Sequence, residues 1–182
     1  MPLSSASLAS ALEDLFAGAG GHPVSETEAG ERWAKAYRSY AAKALAGTTA
    51  PLNASLTAAE PILAGTLAGG FTTAKAAGAG GVAALAAVMD GAFVAFWLAP
   101  PVAFAIPATG PPAMTGIVSL APPGVLASAL SALFLAGVAQ QASAAQQAQA
   151  LAAALDAWTR TVLVINTPVT PPGPPLPPVP LA

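Results

Sequence analysis

The chain has no cysteine, a single histidine and few charges, and each shortage removes a class of function. Without thiols there are no disulfides, no thiolate nucleophile and no zinc–thiolate centre. His22 alone cannot build a multi-histidine metal site, and its Gly-Gly-His-Pro setting is that of a turn residue. Charged residues make up 8% of the 182, where ordinary soluble domains carry about 25%. Between Asp90 and Asp156 no side chain is charged, and none is charged after Arg160. Net charge is −2, and four of the six Lys+Arg fall within Arg32–Lys43, so there is no basic footprint for phosphates and no expectation of direct nucleic-acid binding.

What the chain does contain is alanine and proline. The hydrophobic fraction of 55% exceeds the usual 45–50%, with much of the excess in alanine, which builds helix while burying little area. The length suits one domain with extensions. The opening Met1-Pro2-Leu3-Ser4-Ser5 has neither the basic nor the apolar region of a secretory signal before Glu13-Asp14, which predicts synthesis and folding in the cytoplasm.

The pattern predicts a mainly α fold: an Ala-rich helical body with one small β element and an extended Pro-rich C-terminal arm. Residues 1–23 form an N-terminal helix or arm, 24–167 the body, and 168–182 the arm. The first helix spans Ser5 to Ala17, carries Leu8, Leu12, Leu15 and Phe16 on one face, ends at Gly18–Gly21 and needs a docking partner. Ser25-Glu26-Thr27-Glu28 is a capping box. It opens a helix with Trp33, Tyr37, Tyr40 and Ala44 inward and the pairs Glu28–Arg32 and Glu31–Lys35 outward, stopped at Gly47. Thr57-Ala58-Ala59-Glu60 repeats the box spacing before a helix to Leu67, broken by Gly69-Gly70. A longer helix from Gly81 to Leu98 is apolar almost all round and ends at Pro100-Pro101.

Residues 100–124 are punctuated by proline and glycine, with Thr115–Leu120 the one β-like run. Helices follow from Pro123-Gly124 to Val138, and from Gln140 onward with Leu151, Leu155 and Trp158 inward, ending at Arg160. Thr161–Thr167 is the clearest strand, and pairing it with Thr115–Leu120 gives the β element. Beyond Pro168 the proline run is extended, polyproline II-like chain, mobile unless something holds it.

None of the candidate sites makes a catalytic constellation. Asp90 interrupts an apolar helix and reads as an ion-pair partner of Lys75 or Arg160, a solvent-facing position or a functional carboxylate, with no second acid at helical spacing. Gly78-Ala79-Gly80-Gly81 lacks the third glycine of a dinucleotide fingerprint and the Lys-Ser/Thr of a P-loop, which leaves a joint. The serines lack a nucleophile elbow. The aromatics, at helical spacing opposite a charged face, read as core. The expectation is a protein that is not an enzyme and holds no cofactor and no metal.

Such a composition fits burial against other subunits or insertion in a membrane. Gly81–Ile106 is broken as a span by Asp90 and two prolines, Gly124–Gly137 is too short, and neither has flanking Lys/Arg. The run Trp33-Ala34-Lys35-Ala36-Tyr37-Arg38-Ser39-Tyr40-Ala41, the run Ala92-Phe93-Val94-Ala95-Phe96-Trp97, and the closing Leu155-Asp156-Ala157-Trp158-Thr159-Arg160-Thr161 resemble Ala-rich structural proteins from the virion modules of tailed bacteriophages. The likeness spans most of residues 24–167 and leaves out the Pro-rich extension; no functional residues carry over. It implies a structural subunit of a head, neck or tail, located in the virion, partnered by other virion proteins and by copies of itself in a ring or lattice. The expected partner contacts are Leu163 and Ile165 on the strand and Pro171, Pro172, Pro174, Pro175, Leu176, Pro177 and Pro178 on the arm. The alternative is a small holin-like membrane protein.

Overall fold

A computed structural model describes residues 3–18, 20–46, 50–51, 56–99, 103–106, 114–119, 124–168 and 178–182. Within them the protein is mainly helical, with a small antiparallel sheet at one end. The helices are α1 (Ser5–Ala17), α2 (Glu26–Ala41), α3 (Ala59–Ala77), α4 (Gly81–Leu98), α5 (Val125–Ala139) and α6 (Ala144–Thr159). Each packs on the next in sequence, and α6 closes the ring on α1. The first helix therefore finds its docking partner within the chain: Leu8 and Leu12 are fully buried in the shared core.

Local chemistry explains most boundaries. Ser4 caps α1 by accepting from the Ser7 amide, and Gly18, at φ 68°, ends it. At α2 the Ser25 side chain accepts from the Glu28 amide, while the Glu28 carboxylate reaches one residue further back than a strict box, to the Val24 amide at 2.8 Å. The Val24 amide and, next, the Arg32 guanidinium hold the Glu28 carboxyl below its ordinary pKa. Glu28–Arg32 forms as expected, but no ion pair joins Glu31 to Lys35 among the described residues. The longer-range pairs Arg38–Glu60 and Lys75–Glu26 instead tie opposite ends of α2 and α3, which makes the two helices antiparallel.

Three expectations need correction. Helix α3 does not stop at Gly69-Gly70 but runs to Ala77, because a glycine there serves packing: a Cβ on Gly70 would lie 2.7 Å from Val88 of α4. Gly30 plays the same part between α2 and α3, where a Cβ would lie 2.4 Å from the Ala64 carbonyl oxygen. The N-cap of α3 falls on Ala58, one residue after the expected Thr57; alanine has no side chain to cap with, and Glu60 pairs with Arg38. Helix α6 begins at Ala144 rather than Gln140. Its cap is a full capping box of Ser143 and Gln146, and Gln140-Gln141 make the turn before it, with Gln141 at φ 50°. The Gly78–Gly80 joint is a single 3-10 turn between α3 and α4.

The strands are β1 (Leu45–Ala46), β2 (Ala50–Pro51), β3 (Ala103–Ile106), β4 (Met114–Ser119), β5 (Leu163–Pro168) and β6 (Val179–Pro180). The first two pair with each other, and the rest form an antiparallel sheet in the order β3-β4-β5-β6. The expected pairing of the two β-like runs is present: β4 and β5 register along their full length, from Met114 opposite Pro168 to Ser119 opposite Leu163. Strand β3 lies in the proline-punctuated segment, outside the predicted β-like run, and adds to the other edge of β4. Helix α2 also departs from expectation: it ends at Ala41, short of the expected stop at Gly47, because Leu45–Ala46 is already strand β1. Expectations for Pro100-Pro101 and Leu120 fall outside the described residues.

Candidate functional site

The C-terminal ends of α2, α4 and α6 converge on one polar cluster. The Trp97 indole N–H donates to the Tyr37 hydroxyl at 2.9 Å, and that hydroxyl shares a 2.8 Å hydrogen bond with Thr159. Next to it the Tyr40 hydroxyl donates to Asp156 at 2.6 Å. Arg160 closes the cluster by pairing with Asp156 at 2.8 Å and donating to the Leu3 carbonyl at 3.0 Å, tying the N-terminus of α1 to the end of α6. The Asp156 carboxylate holds the Arg160 guanidinium above its ordinary pKa.

This cluster is built to hold helices together. Burial, the leading cause, pushes both tyrosine hydroxyls well above their ordinary pKa, and for Tyr40 the bond to Asp156 adds to it, so both stay protonated. Tyr37 also packs on Phe93 at 4.5 Å and on Phe96 at 5.1 Å between ring centroids. The buried hydroxyls and the indole N–H of the cluster are hydrogen-bonded within it, as buried polar groups must be.

Asp90 is not solvent-facing, being 4% exposed, and it pairs with neither expected partner. Lys75 is joined to Glu26 and Arg160 to Asp156. Its Oδ2 accepts from the Gly124 amide at 2.7 Å, the N-cap position of α5. Gly124, at φ 101°, has no capping side chain of its own, so Asp90 supplies from α4 an acceptor oxygen at the start of the helix. Through that bond it seats the start of α5, while its buried Oδ1 has no hydrogen-bond partner among the described residues. His22 lies exposed at the turn after α1, its ring over Gly18. Among the described residues no group of three or more His, Asp or Glu side chains could hold a metal ion.

The strongest surface feature lies on α5. This 15-residue helix buries only Leu126 and Leu130, while Val125, Leu135 and Val138 are 59%, 57% and 76% exposed. Beside it a groove of about 280 Å³ opens between the end of α5 and the start of α6, lined by Leu133, Phe134, Gly137, Val138, Gln147 and Leu151. Its walls are alkyl, aromatic and amide groups without a charge, chemistry that accepts an apolar side chain. No protein-family model, no curated protein and no solved structure matches this chain.

The expected contact residues fall in three places. Leu163 and Ile165 sit on β5, whose backbone is paired within its own chain: β4 covers one side, and β6 covers Leu163 and Val164 on the other. Leu163 keeps 39% of its surface exposed. Pro171, Pro172, Pro174, Pro175, Leu176 and Pro177 lie outside the described residues, and Pro178 is exposed. The end of the arm is not free. Leu181 is 2% exposed, its amide donates to Val162 at 3.2 Å, and Ala182 exchanges two backbone bonds with Leu45 at 3.0 and 2.9 Å. The sequence does signal this clasp, weakly, through a lone leucine after a proline run.

Proposed function

We propose that the protein is a non-enzymatic structural subunit of a tailed-phage virion, in a head–tail neck or connector or as a capsid- or tail-associated component, working through contacts with copies of itself and other virion proteins. The observation that carries this reading is the uncharged outer face of α5, with Val125, Leu135 and Val138 exposed beside an apolar groove. Large apolar side chains left exposed beside an apolar groove are the kind of surface through which subunits meet. The buried polar cluster supports the same reading, since its groups are spent on joining helices.

The holin-like alternative draws on α4, which is long and apolar enough to cross a membrane. Against it, α4 contributes eight buried residues to the bundle, Asp90 and the ring partners Phe93, Phe96 and Trp97 among them. The two readings separate experimentally. Purified chain should sediment as a multimer of its 17.6 kDa unit, and an antibody against it should mark purified particles. Recovery instead in a carbonate-resistant membrane pellet would overturn the subunit reading in favour of the pore former.

A further inference from the structure

We propose that Asp90 holds an internal water molecule at the start of α5, and that this water completes the cap of a helix with no capping side chain of its own. The water site is independent of the subunit reading. On α4, Asp90 is 4% exposed; its Oδ2 accepts from the Gly124 amide at 2.7 Å, while its buried Oδ1 has no hydrogen-bond partner among the described residues. Buried polar groups are almost always satisfied, by protein or by ordered water. On α5, Ser128 is the first residue whose amide meets a backbone acceptor, the Gly124 carbonyl at 3.2 Å. The amides of Val125, Leu126 and Ala127 belong to the first turn, which has no acceptors inside its own helix, and Gly124 has no side chain to offer one. One side of the joint therefore lacks a donor and the other lacks acceptors.

The other helices show which amide is at stake. Serine caps α1, α2 and α6, and each time its hydroxyl accepts from the third amide of the helix, that of Ser7, Glu28 or Gln146. In α5 that position is Ala127. A molecule that joins Ala127 to Asp90 must accept from the amide and donate to Oδ1. Water does both. An ammonium or guanidinium group only donates and would leave the amide unmet, and a carboxylate only accepts and would face the Asp90 oxygen. Oδ1 and the Ala127 amide supply two polar partners, within the roughly two to four that a buried water takes. Size agrees with chemistry, since a carboxyl so deeply buried has no room beside it for a larger ligand. Gly91, next along α4, and Gly124 are both exposed, and a Cβ on either would meet nothing within 4 Å, so no side chain shuts the joint at these two residues.

A crystal structure of the full-length protein, at a resolution that shows ordered water, tests the site directly. The expected result is a water peak about 2.5–3.2 Å from both Asp90 Oδ1 and the Ala127 nitrogen. A well-ordered Asp90 with no such peak, or with Oδ1 bonded directly to a protein donor, overturns the proposal. So does a peak ringed by six or more oxygens at about 2.3–2.6 Å, the surroundings of a bound calcium ion rather than a water. Asp90→Leu removes both acceptor oxygens, and the peak should be lost from its crystals. A peak that stays in place beside leucine shows that Asp90 does not hold it, which also overturns the proposal. Where the variant fails to fold, the wild-type map still decides. None of these outcomes changes the subunit reading, which sedimentation tests.

Discussion

Helices α2 and α5 are nearly equal in length, 16 and 15 residues, yet they spend their side chains in opposite ways. The charged helix buries six residues, Trp33, Tyr37 and Tyr40 among them, and turns its ions to water and to α3. The charge-free helix buries two. Apolar character therefore does not predict burial here. What decides it is the number of neighbours: the face of α2 that carries Tyr37 meets α4 and α6 in the middle of the ring, whereas α5 touches the ring along one edge and leaves its other face unpartnered.

The largest way to break that contrast is alkali. The only two tyrosines both lie on α2, and both hydroxyls have folded pKa values raised above the ordinary 10.0. A raised folded pKa means stability that is complete below the unfolded value and lost as pH climbs beyond it, because only the unfolded chain releases the protons. Above about pH 10 the fold should lose stability, and tyrosinate absorbance should rise together with loss of helical circular dichroism. Tyrosinate that appears while the helices remain intact would show that the seam around α2 is open.

Next in size is Phe93→Ala, which removes the ring between Tyr37 and Trp158 and should cost about 3–5 kcal/mol in denaturant unfolding. Asp90→Ala should cost about 1–2 kcal/mol and speed amide exchange in the first turn of α5, because the Gly124 amide loses its acceptor. Asp90→Asn, which keeps an acceptor oxygen, should recover most of that protection. The smallest effect on stability belongs to Leu135→Gln with Val138→Gln, expected within about 0.5 kcal/mol because both side chains are exposed. The same pair should weaken self-association measured by sedimentation. Unchanged association would remove α5 from the subunit contact.

Much of the fold was legible in sequence. The spans of α1 and α4 agree with their periodicity, since Leu8, Leu12, Phe93 and Phe96 each lie inward, and the β4–β5 pair follows from two β-branched runs. Glycine was the main source of error. Gly69-Gly70 reads as a breaker in one dimension, but helix α3 keeps going, because Val88 of a second helix needs the space that Gly70 leaves. The polar cluster was legible only as separate aromatics and a C-terminal Arg160: the link of Tyr40 to Asp156 spans 116 residues, and no local pattern encodes it. Asp90 was visible as an oddity, while its use as a borrowed cap for α5 depends on where another helix begins.

Composition and periodicity by themselves determined the helical class, most helix spans, the strand pair and the shortage of charge that limits how much surface can face water. These are local properties, set by spacing along one segment. Tertiary structure alone decided which apolar faces are covered, that α6 closes on α1, and that the chain's last leucine is buried rather than carried on a free arm. The physical reason is that burial depends on how many neighbours converge on a face, and convergence is a property of the closed ring that no single segment contains.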